Sequence, residues 1–191
     1  GDTSIHFTKN NINISDIKRS DVRKQFGMVL QDTWLFHGTI RENLLYGNPA
    51  ASEEDLADAI KNAHVGHFIA SLPGGLDMEI NEEADNISQG EKQLLTIARA
   101  MVAKTPMLIL DEATSSVDTR TEMLIQKAMT NLMRNKTSFV IAHRLSTIRD
   151  ADIILMMQDG DIVEHRNHQQ LLAKNGAYAK MYNSQFVGNA E

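Results

Sequence analysis

Two adjacent carboxylates follow a short apolar run in the second half of the chain. Residues 107–110 form an unbroken apolar segment of strand length, and Asp111 and Glu112 come directly after it. Side chains alternate along a strand, so the two carboxylates point in different directions, and one can bind a metal while the other addresses a water. Magnesium prefers such oxygen ligands and shares them with substrate phosphates. Two solvated acids at a strand end are the alternative, and this pattern alone leaves both open.

A capped helix upstream of this strand offers a phosphate site. Ser88 is a favourable N-cap residue for the apolar helix that follows, and Gly90 permits close approach of a ligand to the backbone. The free N–H groups and the positive dipole end of a helix N-terminus suit a phosphate. A plain capped helix explains Ser88 equally well, but it does not explain the pair Gln89-Gly90.

The elements that must position these residues have the pattern of an α/β protein. Apolar strands alternate with amphipathic helices, which indicates a mostly parallel sheet flanked by helices on both faces. Residues 52–100 are predicted to be wholly helical, so that 51–102 forms an inserted α-helical subdomain and 1–50 with 103–191 the α/β core. The strands are predicted at 4–7, 12–14, 26–30, 107–110, 139–142 and 153–157, the last leading through Asp159-Gly160 into a hairpin. The other helices are predicted after the caps Ser20 and Asp21, at 119–133, near 168–172 and at 176–186.

Composition excludes several classes of function. The 191 residues carry 25 Asp and Glu against 19 Lys and Arg and show no basic cluster, so a nucleic-acid partner is not expected. The chain has no cysteine, which removes disulfides, thiol catalysis and cysteine-ligated zinc. The longest apolar run, 153–157, is far shorter than a membrane span. His64 with His67 and His165 with His168 lack further clustered ligands, so surface or packing roles are expected for them.

Taken in order along nearly the whole chain, these elements resemble the nucleotide-binding domain of ATP-binding cassette (ABC) transporters. The matching motifs are Val29-Leu30-Gln31-Asp32 (Q-loop), Ile87-Ser88-Gln89-Gly90-Glu91 (signature), Leu110-Asp111-Glu112 (Walker B end), Ser115-Ser116-Val117-Asp118 (D-loop), Ala142-His143-Arg144 (switch histidine) and the late hairpin from Asp159 to Glu164. The segment from Phe36 to Leu44 resembles the exporter branch, which includes multidrug and lipid or peptide exporters. Each motif alone is a weak signal, whereas the complete ordered set is strong.

The resemblance implies a partial P-loop NTPase-like fold and an ATPase that powers export of a substrate across a membrane. It implies ATP and Mg²⁺ as cofactors, with a second nucleotide-binding domain and the transmembrane domains of the transporter as partners. The second domain can belong to a homodimer or a heterodimer, and the implied location is the cytoplasmic face of the cell membrane. The implied roles are catalysis by Glu112, His143 and Gln31, magnesium binding by Asp111 and Gln31, and cofactor binding by Ser88, Gln89, Gly90, Glu91 and Asp118.

The sequence also departs from the family pattern. The family holds phosphates in a Walker A loop, Gly-x-x-x-x-Gly-Lys-Ser/Thr, and no glycine of this chain is followed by lysine. Residues 1–191 are therefore expected to be an incomplete cassette that hydrolyses no ATP alone, although the full-length protein does. Gln89 and Glu91 stand where the family signature has its second glycine and its final glutamine.

Two alternatives remain open. The chain could be a non-catalytic ABC-like interaction module that pairs through its signature with a complete cassette. It could also be a non-transport ABC ATPase of the DNA-repair or chromosome-organising kind, although such proteins carry long coiled coils and no heptad run is present here.

Overall fold

The computed structural model describes residues 8–9, 12–13, 16–112 and 117–184. Its strands are β1 (Thr8–Lys9), β2 (Ile12–Asn13), β3 (Phe26–Val29), β4 (Gly38–Thr39), β5 (Glu79–Ile80), β6 (Met107–Asp111), β7 (Thr137–Ile141), β8 (Ile154–Gln158) and β9 (Asp161–Arg166). Its helices are α1 (Arg19–Arg23), α2 (Ile40–Leu45), α3 (Glu53–Asn62), α4 (Gly66–Ser71), α5 (Gln89–Ala103), α6 (Thr119–Met133), α7 (Leu145–Arg149), α8 (His168–Lys174) and α9 (Ala177–Tyr182), with a 3-10 turn at Gly75–Asp77. None of these described helices is both long and apolar enough to cross a membrane.

The chain divides into two compact units. The first comprises Gly1–Asp111 and Ser115–Val140, and the second comprises Glu112–Thr114 and Ile141–Glu191. The first unit holds the three-stranded sheet and the two long helices, α5 and α6. The second holds the β8–β9 hairpin and the helices that follow it.

A three-stranded sheet in the order β3-β6-β7 forms the centre of the first unit. The pair β3–β6 is parallel, with Val29 opposite Leu110. The predicted strands at 26–30, 107–110 and 139–142 are thus confirmed within two residues at each end. Because β3 and β6 run in the same direction, the residues that follow them lie at one end of the sheet.

The two faces of this sheet differ in burial. Val29, Leu108 and Leu110 are fully buried in a core that includes the apolar residues of α5 and α6. Met28 and Phe139, which point to the opposite face, are 53% and 40% exposed. In the part of the chain that the structure describes, helices therefore cover one face of the sheet more completely than the other.

The helix α6 has the same bounds as predicted, because its sequence contains both local signals. Asp118 caps its first turn by accepting a hydrogen bond from the Thr121 N–H at 3.0 Å. One stripe of the helix then packs on α5. The buried residues of this stripe are Ile125, Ala128, Met129 and Leu132.

The segment 52–100 is not wholly helical as predicted. Glu79 and Ile80 form β5, which pairs antiparallel with β4, and Ile80 is fully buried. A two-residue strand gives too short an alternation for a sequence pattern to show. The proposed division into a helical subdomain at 51–102 and an α/β core stays a prediction.

The first elements also differ from the prediction. Ser20 and Asp21 lie inside α1 rather than capping it, because the first turn already closes from the Lys18 carbonyl to the Asp21 N–H at 2.9 Å. The predicted strand at 4–7 lies outside the described residues. The predicted strand at 12–14 is present as β2, which pairs antiparallel with β1.

The second unit is organised around the predicted hairpin. The strands β8 and β9 are antiparallel and are joined by Asp159 and Gly160, both with positive φ, as a type I′ turn requires. Behind them, the buried Glu164 accepts a hydrogen bond from the Tyr178 N–H at 2.8 Å and pairs with Lys174 Nζ at 3.1 Å. These contacts fix α8 and α9 against β9.

Candidate functional site

Two of the predicted residues lie at the same end of the central sheet. Asp111 is the last residue of β6, and Gln31 follows β3 by two residues on the neighbouring parallel strand. Gln31 is exposed and Asp111 is half-buried. Their side chains supply an amide oxygen and a carboxylate oxygen, the donor types that Mg²⁺ takes alongside waters and phosphate oxygens. No three Asp, Glu or His side chains of the described residues gather around a metal position, so the protein would supply few of the ligands.

In the second unit, Glu112 is 6% exposed, and both oxygens of its carboxylate accept hydrogen bonds. Oε2 accepts hydrogen bonds from the N–H groups of His143 at 3.0 Å and Arg144 at 3.1 Å. Oε1 accepts from the Thr147 hydroxyl at 2.8 Å and lies 3.4 Å from Arg144 Nε. The Glu112 N–H donates in turn to the Ile141 carbonyl at 3.1 Å. The structure therefore brings together Glu112 and the backbone of His143, two residues that the sequence assigned to one reaction.

The N-terminus of α5 is closed by a reciprocal capping box. The Glu91 N–H donates to Ser88 Oγ at 3.3 Å, while Glu91 Oε2 accepts from the Ser88 N–H at 2.9 Å and from its hydroxyl at 2.7 Å. The predicted N-cap role of Ser88 is confirmed. The Ser88 hydroxyl donates to Glu91, so it would have to turn away before it could donate to a phosphate.

Gln89 is held by a long-range hydrogen bond, and Gly90 is held by packing. Gln89 Nε2 donates to Thr33 Oγ1 at 3.0 Å, which links the start of α5 to the segment that follows Gln31. A Cβ at Gly90 would lie 2.9 Å from Val117 Cγ1 and closer still to the Thr121 methyl group. Gly90 is therefore needed for α5 to pack on α6, whatever ligand approaches it.

Of the predicted D-loop, only Val117 and Asp118 lie within the described residues. The hydrogen bond from the Thr121 N–H is the main reason that the pKa of Asp118 is lowered from its ordinary value. Asp118 is exposed and ionised, and it stands at the start of α6.

Comparison with known proteins decides the family. A family model described as "ABC transporter" matches residues 3–115. The chain belongs to the ABC transporter family. The sequence-based assignment to this family is confirmed, and so is the predicted α/β fold of the P-loop NTPase kind.

The curated relatives of this ABC transporter chain are much longer than it is. A fatty acid ABC transporter ATP-binding/permease protein of Mycobacterium bovis is 55% identical over 170 residues, which is 89% of this chain and 27% of the relative. An ATP-dependent lipid A-core flippase of Colwellia psychrerythraea is 49% identical over 174 residues, or 91% of this chain and 29% of the relative. The chain thus spans less than a third of the length of these relatives.

A solved structure shares the fold. A bacterial Atm1-family ABC exporter with ATP bound superposes with a TM-score of 0.82 at 41% sequence identity. The match covers 95% of this chain and 32% of that exporter chain. The exporter character suggested by the segment from Phe36 to Leu44 agrees with these comparisons.

Sequence reasoning missed a buried network that positions the loop after Gln31 in this ABC transporter chain. Asn43 is fully buried; its Nδ2 donates to the Phe36 and Thr39 carbonyls, and its Oδ1 accepts from the Phe36 N–H at 3.1 Å. Arg99 donates to Asn43 Oδ1 and to the Asn43 carbonyl, at 2.9 and 2.8 Å. An asparagine on the apolar side of a short helix was the signal that could have revealed it.

The same guanidinium organises the exposed aromatic residues. Arg99 donates to the Trp34 carbonyl at 2.9 Å and lies 5.7 Å from the Trp34 ring centroid and 5.6 Å from that of Tyr46. Burial lowers the pKa of Arg99 from its ordinary value. Trp34 is 57% exposed, and its ring contacts those of Phe36 and Tyr46.

One histidine of each predicted pair contacts neighbouring side chains. His168 Nδ1 lies 2.7 Å from the Tyr178 hydroxyl, and its ring contacts the Tyr182 ring. His64 Nε2 lies 3.4 Å from Asn131 Nδ2. Neither histidine belongs to a group of metal-binding side chains within the described ranges.

Proposed function

We propose that this chain is the ATP-binding and ATP-hydrolysing cassette of an exporter-type ABC transporter. Family membership and the likeness to ABC exporters support the proposal. The observation that carries it is the Glu112 carboxylate, buried directly after β6 and held by the N–H groups of His143 and Arg144. A carboxylate fixed in this way is placed to orient a water rather than to meet solvent at random.

Each predicted residue has a part in the proposed hydrolysis. Asp111 and Gln31 hold Mg²⁺, which when bound neutralises charge on the ATP phosphates. Glu112 orients and polarises the attacking water, and His143 contacts the γ-phosphate. The rate enhancement in this scheme comes from positioning and electrostatics, because the protein forms no covalent bond to the phosphoryl group.

A second cassette completes the proposed site. Ser88, Gln89, Gly90 and Glu91 face the γ-phosphate of a nucleotide that the partner cassette holds, and Asp118 crosses the interface. The 15-residue helix α5 supports this role, because its N-terminus provides N–H groups and a positive dipole end next to Ser88. In this proposal, residues 51–102 form the helical subdomain that carries the signature to the partner.

The wider assembly is part of the same proposal. The ATP-binding/permease description of the Mycobacterium bovis relative supports attachment to transmembrane domains, with the cassette on the cytoplasmic face of the membrane. The relatives' names give different substrates, a fatty acid and lipid A-core, although both are about half identical to this chain. The relatives' names therefore do not single out one substrate, and we propose export without naming its cargo.

Glu112→Gln in the full-length transporter tests the catalytic role. The amide oxygen still accepts from the His143 and Arg144 N–H groups, and the amide nitrogen can donate to Thr147 Oγ1, so the fold is expected to persist. Losing a positioned general base lowers the rate by ~10²–10⁴-fold, and ATP should stay trapped. The exposed Glu54→Gln in α3 is the matched control. Unchanged ATP turnover in Glu112→Gln would reject the role.

A binding measurement tests the expectation for the 191-residue chain itself. Because no glycine of this chain is followed by lysine, we expect it to bind Mg-ATP weakly or not at all and to hydrolyse none. Isothermal titration calorimetry with Mg-ATP measures this directly. Micromolar binding would contradict the expectation.

A further inference from the structure

The two oxygens of the Glu112 carboxylate are held by different kinds of donor. Oε2 accepts from two main-chain N–H groups, whose positions are set by the backbone after β7. Oε1 accepts from the Thr147 hydroxyl at 2.8 Å, and Arg144 Nε lies farther away at 3.4 Å. The shortest contact to Oε1 is therefore made by a small side chain that can turn about one bond.

Thr147 is well placed to control the direction of Oε1. It lies on α7, the five-residue helix that begins two residues after His143, and its side chain is half-buried. A hydroxyl donor takes one lone pair of Oε1 and stops the carboxylate from rotating about its last bond. The other lone pair of Oε1 then keeps a fixed direction, and a water accepted there has a fixed place.

We propose that Thr147 is a positioning residue for Glu112, which sets the direction in which that carboxylate meets the attacking water. The inference rests on the proposed function, because it gives Thr147 a role only through the base assigned there. Thr147 touches neither nucleotide nor metal in this scheme. Its loss should therefore slow the chemical step and leave nucleotide affinity unchanged.

Two substitutions in the full-length transporter separate the hydroxyl from the shape of the side chain. Thr147→Val keeps the branched shape and removes the O–H, whereas Thr147→Ser keeps the O–H. We expect kcat to fall about tenfold in Thr147→Val, the change that corresponds to one hydrogen bond to a charged group, with KM within about twofold. Thr147→Ser should retain kcat within about twofold of the parent protein.

Thr130→Val is the matched control, because Thr130 on α6 is exposed and its hydroxyl donates to the Gln126 carbonyl of its own helix. It should leave both kinetic constants unchanged. A Thr147→Val variant with the parent kcat, or a Thr147→Ser variant as slow as Thr147→Val, would overturn the inference.

Amide hydrogen exchange supplies a readout that needs no ATP. In the 191-residue chain, Thr147→Val should speed exchange at the His143 and Arg144 amides, because a carboxylate that can rotate protects them less. Unchanged exchange at both amides would overturn the inference even if the kinetic variant folds poorly. If Glu112→Gln leaves turnover intact, the proposed function fails instead; if it abolishes turnover while Thr147→Val is normal, only the role of Thr147 fails.

Discussion

Replacing Asn43 by alanine should weaken the first unit more than any exposed asparagine substitution. The side chain makes four hydrogen bonds at 2.9 to 3.1 Å, two as donor and two as acceptor, and it has no solvent exposure. Through these bonds it joins the loop at Phe36 to the start of α2 and to Arg99 on α5. Alanine removes all four and puts no other polar group in their place.

The size of the effect follows from the partners that are left behind. The Phe36 N–H, the carbonyls of Phe36 and Thr39, and one Arg99 nitrogen each lose a hydrogen bond in a region that is at least half-buried. A buried polar group without its partner costs about 1–3 kcal/mol, and the lower end applies to these partly exposed groups, so the loss in unfolding free energy should be about 3–5 kcal/mol. With a urea m-value of about 2 kcal/mol/M, the unfolding midpoint should fall by about 1.5–2.5 M.

The assay can use a natural probe. The chain has a single tryptophan, Trp34, whose backbone carbonyl is bound by Arg99 and whose ring lies beside the same guanidinium. Urea unfolding followed by its fluorescence reports on this part of the molecule alone. Asn62→Ala is the matched control, because Asn62 is exposed and its side chain bonds only to the Asp58 carbonyl within α3.

A midpoint for Asn43→Ala within about 0.3 M of that for Asn62→Ala would refute the reasoning, since that difference is worth only about 0.5 kcal/mol. Asn43→Asp gives a second check. It keeps the acceptor for the Phe36 N–H and Arg99 but turns a carboxylate oxygen toward two carbonyls. Its midpoint should lie between those of the parent chain and Asn43→Ala.

Two further predictions concern the packing at Gly90 and the pH dependence of the stability that Glu164 provides. Gly90→Ala should lower the unfolding free energy by about 1–3 kcal/mol, because its methyl group would overlap the side chains of Val117 and Thr121. Gly66→Ala should be neutral, because its methyl group would meet only another methyl group at 3.4 Å. Equal urea midpoints for the two variants would contradict this packing argument. The hydrogen bond from the Tyr178 N–H, and after it the contact with Lys174, lowers the pKa of Glu164 in the folded chain. The ionised Glu164 therefore stabilises the fold above its ordinary pKa of about 4.3. This stabilisation disappears as the pH falls through the lower pKa of the folded chain. Hydrogen exchange of α9 against pH should show this loss in the parent chain, and a Glu164→Gln variant with the same acid-dependent loss would disprove it.

The parts of the fold that the sequence predicted are those encoded by neighbouring residues. The helix α6 begins after Asp118 and follows an apolar stripe, and both signals lie within its own 15 residues. The β8–β9 hairpin is similar, because Asp159-Gly160 alone favours the turn between two apolar strands. Local chemistry decides these elements, so a single sequence is sufficient to find them.

The missed features depend on residues far apart in the chain. The pairing of β5 with β4 joins Ile80 to Gly38, and neither strand has a pattern of its own. Asn43 and Arg99 are separated by 56 positions, and nothing near either residue indicates the other. Such contacts arise only when α2 and α5 pack together, which propensity and periodicity do not describe.

The candidate site likewise contains contacts that the sequence predicts and contacts that it does not. The sequence predicts that His143 lies near Glu112, because both residues follow strands of one sheet and ligand sites lie at such strand ends. Thr147 was not, because a threonine inside a short helix has many possible partners, and only the position of α7 selects Glu112. Positioning residues are thus harder to read from sequence than the residues they position.

Ser88 shows why the match of a residue to a motif position does not settle its chemistry. As an N-cap, Ser88 accepts a hydrogen bond from the Glu91 N–H at 3.3 Å, and its hydroxyl in addition donates to the Glu91 carboxylate at 2.7 Å. A phosphate could take the same donor only after the hydroxyl turns away from that carboxylate, and the two negative charges would repel each other. Glutamine at position 91 could complete the capping box without the charge. Glu91 therefore stabilises the N-terminus of α5 through the capping box and also places a negative charge there, an effect that matching a motif by residue position does not show.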